Sequence, residues 1–150
     1  MKLLGKLLPK FLATLLVLGF SFGVISTTAS AETKHHKLVI QVSTDNLKSQ
    51  EIAMNNAVNL QKLYGMDNID VEIVAYGPGL KMLTAKSKYS SRVKSLAMQD
   101  ITFSACMNTM KKMEKKLGHL PKLTEGVETV PAGVSRIVEL QEEGYSYVRP

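Results

Sequence analysis

Beyond an apolar leader, the chain alternates between two hydrophobic periods. Residues 37–43 form an almost unbroken apolar run, the pattern of a strand covered on both faces. From residue 49 to 64 the period becomes helical, with Ala53, Ala57, Leu60 and Tyr64 on one stripe flanked by Ile52, Asn56 and Leu63. Gly65 supplies the stop. Residues 70–76 make a second strand, turning sharply at Gly77-Pro78-Gly79. Residues 80–85 and 91–98 read as one broken helix or two short ones, interrupted at Tyr89-Ser90-Ser91. A third strand, 101–105, runs straight into a helix that begins near Met107, stops at Gly118 and is kept from resuming by Pro121. Residues 127–130 fit a short fourth strand. Pro131-Ala132-Gly133 then leads into a helix whose expected core face is Val134, Ile137, Val138 and Leu140. Gly144 ends it before a last strand, 145–149.

Strand–helix alternation predicts a parallel sheet with helices on both faces. Such sheets bind ligands outside the carboxyl ends of their strands. Four loops are expected to converge there: Ser43-Thr44-Asp45, Gly77-Pro78-Gly79, Ala105-Cys106-Met107 and Pro131-Ala132-Gly133.

The leader changes the picture of where this domain works. Lys2, Lys6 and Lys10 precede an apolar stretch, 11–25, and Ala29-Ser30-Ala31 is the small-residue pattern that signal peptidases accept. We therefore expect a cleaved signal peptide, 1–31, a single domain, 32–150, and a periplasmic or secreted protein. The apolar stretch is short for a membrane span. No cysteine near the cleavage site offers a lipid anchor, so no stable membrane anchor is expected. Without the three leader lysines the net charge falls from +6 to +3. The domain is mildly basic, lacks a Lys/Arg block interleaved with aromatics, and gives no reason to expect nucleic-acid binding.

The candidate chemistry centres on Cys106, the one cysteine of the chain. It cannot form an internal disulfide. Where a strand's carboxyl end meets a helix N-terminus, free backbone N–H groups favour a thiolate. The expected thiol is open to solvent. No CxxC is present, so resolution needs a second molecule. His119 lies beyond the helix and reads as a surface loop residue, so no general base accompanies the thiol. Asp45, Glu51 and Asn55 are candidates to line the pocket, with capping or solvated roles as the alternative. Met107, Met110 and Met113, with Cys106, raise a soft Cu(I) site. Their helical arc opposite Lys111, Lys112 and Lys115 is that of a core face instead, and no metal or other cofactor is expected. His35-His36 reads as solvated in a loose terminus. Gly77-Pro78-Gly79 lacks the spacing and lysine of a phosphate loop. Tyr145 and Tyr147 are expected to pack rather than stack a substrate.

Four separated stretches together resemble the DsrE/DsrF-like family. They are Gly77-Pro78-Gly79, Phe103-Ser-Ala-Cys106-Met-Asn-Thr-Met110, Val130-Pro-Ala-Gly-Val134 and Gln141-Glu-Glu-Gly-Tyr-Ser-Tyr-Val-Arg-Pro150. The resemblance implies a three-layer α/β/α sandwich with a mainly parallel five-stranded sheet, commonly assembled as a trimer or hexamer. Active family members are sulfur carriers or sulfurtransferases with a cysteine persulfide, a role that falls here on Cys106. Asn108 and Thr109 N–H groups would hold the persulfide charge, with Gly77 and Gly79 as further binding positions. The partners implied are a small sulfur anion or a thiol protein, as sulfur donor or acceptor. The best-known members act in the cytoplasm, so the leader sets this chain apart. The alternative reading is a non-catalytic binding or assembly module with a structural cysteine.

Overall fold

A computed structural model describes residues 35–150; the expected signal peptide lies outside the described residues. Five strands, β1 (His36–Val42), β2 (Ile69–Ala75), β3 (Ile101–Cys106), β4 (Val127–Val130) and β5 (Ser146–Val148), form one sheet in the order β4-β3-β2-β1-β5. Every neighbouring pair is parallel. Helices α1 (Leu47–Tyr64), α2 (Ser90–Ala97), α3 (Met107–Leu117) and α4 (Gly133–Glu142) connect the strands, with a 3-10 segment, Gly77–Leu83, following β2. This is the expected α/β/α sandwich. The helical segment after β2 begins at Gly77 rather than at the expected Leu80, with Pro78 in the first turn of the 3-10 segment.

The order of the strands decides where the helices go. From β1 to β4 the chain steps one way, so right-handed crossovers stack α1, α2 and α3 on one face. That face holds the main core, in which Ile40, Ile73 and Phe103 meet Met54, Val93 and Met110. The return from β4 to β5 carries α4 to the other face, over Val39 and Val74. The reversal falls between neighbours β3 and β4, whose following helices leave to opposite faces. A crevice opens at such a point, and Cys106, paired in register with Val130, stands at it.

Two core faces differ from expectation. In α1 the buried residues are Gln50, Ala53, Met54, Ala57 and Gln61, while Leu63 is 70% exposed and Tyr64 lies outside. The helix is turned so that both glutamine amides reach backbone carbonyls, Gln50 to Thr44 at 3.0 Å and Gln61 to Gln99 at 2.6 Å. In α4 Ile137 and Leu140 are buried, but Val134 and Val138 are exposed. Arg136 is turned towards the sheet there instead. His36 is not in a loose end: it opens β1 and stacks on Tyr64 at 3.7 Å, and His35 pairs with Asp70 at 3.0 Å. Met110 is buried, with Met107 and Met113 packed against the same cluster and Lys111, Lys112 and Lys115 outside, as an amphipathic helix requires.

Candidate functional site

Cys106 ends β3 and caps the N-terminus of α3 in extended backbone (φ −69, ψ 114). Its partner in register, Val130, is three residues before the start of α4. Two helix N-termini therefore meet at one sulfur. Burial pushes the thiol up. The Thr109 hydroxyl and the N–H groups of Gly133, Thr109 and Asn108 outweigh it, and the net shift is below the ordinary thiol value. Thr109 Oγ1 accepts the Gly77 N–H at 2.9 Å, which leaves its proton for Sγ. The Asn108 N–H also meets the Pro131 carbonyl at 3.3 Å, tying the two helix starts together.

The thiol is not open to solvent as the sequence led us to expect: it is free, and 5% exposed. The start of α4 closes over it, and glycine makes the approach possible. A Cβ on Gly133 would lie 3.3 Å from Cys106 Cβ and 3.0 Å from Tyr76 Cδ1. Larger side chains there would lift the helix from the sulfur.

The other expected site residues separate into two groups. Thr109 stands at the thiol and also lines a cleft of about 450 Å³ beside Gly77, whereas Asn108 lines an open cleft of about 300 Å³ with Met107 and Pro131. Gly77 reaches the thiol indirectly, through its hydrogen bond to Thr109. Gly79 is buried against the end of β1, where a Cβ would overlap the Val42 carbonyl, and its N–H goes to Tyr76 O at 3.1 Å. Both glycine N–H groups are thus taken up within the fold. Asp45 is bound to Lys81 at 2.9 Å, Asn55 accepts from Arg92 at 2.6 Å, and Glu51 is exposed. His119 Nδ1 lies 2.8 Å from Leu120 O on the surface beyond α3.

Sequence reasoning missed the group that holds α4 in place. Glu72, on β2 and 4% exposed, accepts Ser104 Oγ at 2.6 Å. It also accepts Arg136 Nε at 3.0 Å and Nη2 at 2.8 Å. This bidentate clamp keeps the Arg136 guanidinium charged well above its ordinary range, despite partial burial. Arg136 lies one turn into α4 and Ser104 two residues before Cys106, so the clamp fixes the start of α4 against the strand that bears the thiol. The available signal was a carboxylate inside the apolar run of β2, since a buried charge demands a partner. Among the described residues, no group of three or more His, Cys, Asp or Glu could hold a metal ion.

The fold and the thiol define a class: a parallel α/β/α sandwich with a free, buried cysteine at the reversal of its strand order. The chain belongs to the DsrE/DsrF-like family, whose model matches residues 36–150. Its fold is thereby of the sulfur-relay type. A protein of unknown function from Methanobacterium thermoautotrophicum is 33% identical, with a TM-score of 0.70 over 77% of this chain and 99% of its own. The ychN protein from E. coli is 13% identical, with a TM-score of 0.60 over 78% of this chain and 99% of its own. A conserved protein of unknown function from Bacteroides thetaiotaomicron is 16% identical, with a TM-score of 0.55 over 76% of this chain and 94% of its own. The last two likenesses concern the fold alone. No curated protein matches the chain.

Proposed function

We propose that the protein is a sulfur carrier that takes sulfane sulfur onto Cys106 as a persulfide and hands it to an acceptor thiol. The observation that carries this reading is the position of Cys106, which caps the N-terminus of α3 and is closely approached by Gly133 at the start of α4, so that two helix N-termini favour the thiolate and hold the thiol's pKa down. With thiosulfate as donor, the Cys106 thiolate attacks the sulfane sulfur, a new S–S bond forms, the old one breaks and sulfite leaves. The product, Cys–S–S⁻, carries one negative charge, as the thiolate did, and the same donors suit that anion. An acceptor thiolate then attacks the outer sulfur and releases the Cys106 thiolate. The leader pattern supports a periplasmic or secreted location for this activity, and the family resemblance supports a homotrimer or hexamer. Fractionation of cells and light scattering of the mature chain read those two points.

The 5% exposure of Cys106 favours a second reading, an assembly module whose cysteine is structural. One experiment separates the two. Purified protein is mixed with thiosulfate or polysulfide and its intact mass is measured. A gain of one sulfur atom, reversed by a reductant and absent in Cys106→Ser, supports the carrier. No gain, with an alkylation rate that rises only on unfolding, leaves the structural cysteine.

A further inference from the structure

The cleft of about 450 Å³ that Thr109 lines opens between the 3-10 segment and α3, and its chemistry is two-sided. Lys112 and Lys116 stand one turn apart on α3, side by side on its surface. The one lining acid, Asp45, is bound to Lys81 at 2.9 Å, and that ammonium holds its carboxyl below the usual range. Neither Lys112 nor Lys116 has a carboxylate partner within salt-bridge reach among the described residues. The cleft therefore keeps an uncompensated positive rim. Beneath it lie Met113 and Leu117, the latter 52% exposed, an apolar surface that an inorganic sulfur anion would leave unused. The volume falls in the range of small-molecule sites.

We propose that this cleft holds the body of an anionic low-molecular-weight organic thiol or persulfide. Its carboxylates meet Lys112 and Lys116, its carbon chain lies on Met113 and Leu117, and its sulfur is directed towards Thr109 and the thiol behind it. The inference rests on the carrier role of Cys106. In the transfer, the Cys106 thiolate attacks the terminal sulfur of R–S–SH, a Cys–S–SH bond forms, the R–S to sulfur bond breaks and R–S⁻ departs.

The probe is S-methylglutathione, an unreactive thioether with two carboxylates, titrated into the Cys106→Ser protein and followed by NMR. Saturable binding that weakens with salt, and weakens about tenfold in Lys112→Glu/Lys116→Glu, supports the site. The diethyl ester of the probe should bind more weakly than the acid, and Lys115→Glu, on the same helix outside the cleft, should bind like the parent. Absence of saturable binding, or equal affinity in the double variant, overturns it. Neither probe nor protein has a sulfur to transfer, so the result is independent of persulfide formation. Sulfur gain from thiosulfate without probe binding would retain the carrier and remove this cleft; probe binding without sulfur gain would retain the cleft and remove the carrier.

Discussion

The two faces of the sheet are built on different physics. Under α1, α2 and α3 the strands present a continuous layer of aliphatic side chains and Phe103, closed by alanines and methionines from the helices. Under α4 the apolar cluster is smaller: Val39, Val74, Ile137 and Leu140, with Tyr76 and Tyr145 packed against them. The rest of that contact is the Glu72–Ser104–Arg136 clamp. Apolar burial has no preferred direction, so it stabilises a layer without fixing a helix to a fraction of an ångström. A forked ion pair is directional. The first face supplies stability, and the second sets where the Gly133 N–H sits relative to Cys106.

The largest effect that tests this division belongs to the first face. Phe103 is fully buried, and Phe103→Ala should cost about 3–5 kcal/mol in denaturant unfolding. The thiol titration of the molecules that remain folded should not move. The second face should answer differently. Arg136→Ala strands a buried carboxylate, which costs about 3–5 kcal/mol when both partners are enclosed. Arg136 is 29% exposed, so water relieves part of the deficit and about 2–3 kcal/mol is expected. The pH midpoint of Cys106 alkylation should rise in this variant. Arg136→Lys, a charge without the fork, should fall between the two. A shift of the thiol midpoint in Phe103→Ala as large as that in Arg136→Ala would break the comparison.

Particular residues show why the sequence was legible in some places and closed in others. The first three strands were readable because a doubly covered sheet needs largely apolar runs, and residues 37–43 or 101–105 have no other comfortable state. The junction of β3 and α3, and so the place of Cys106 in the fold, followed from the same reasoning. The inner stripe of α1 did not, since Gln50 and Gln61 are inside only because carbonyls of Thr44 and Gln99 accept their amides. Arg136 was hidden for a related reason: its partner Glu72 lies 64 residues away. Periodicity ranked Val134 and Val138 above it, and only the assembled sheet reverses that order. The burial of the thiol was equally out of reach. It depends on the register of β3 with β4, which brings Gly133 down onto Cys106.

The smallest of the three effects is the most specific to the site. Thr109→Val keeps the volume of the side chain but removes the hydroxyl that donates to Sγ and accepts from Gly77. At low pH, where the thiol is protonated in both states, the cost should be about 1 kcal/mol, from the stranded Gly77 N–H. The parent protein gains something more as pH rises. Its folded thiol has a depressed pKa, so the folded state loses its proton before the unfolded chain does. The resulting stability is fully present above the unfolded value of about 8.5 and is lost as pH falls through the folded one. In Thr109→Val, one of the lowering contacts is gone and the folded pKa moves up, so the variant gains less across the same window. The difference in unfolding free energy between parent and Thr109→Val should therefore widen from neutral pH towards pH ~9. In a Cys106→Ser background the difference should stay flat, because no thiol remains to titrate. A difference that widens equally with and without Cys106 would mean that Thr109 serves only the packing of α3 on the 3-10 segment.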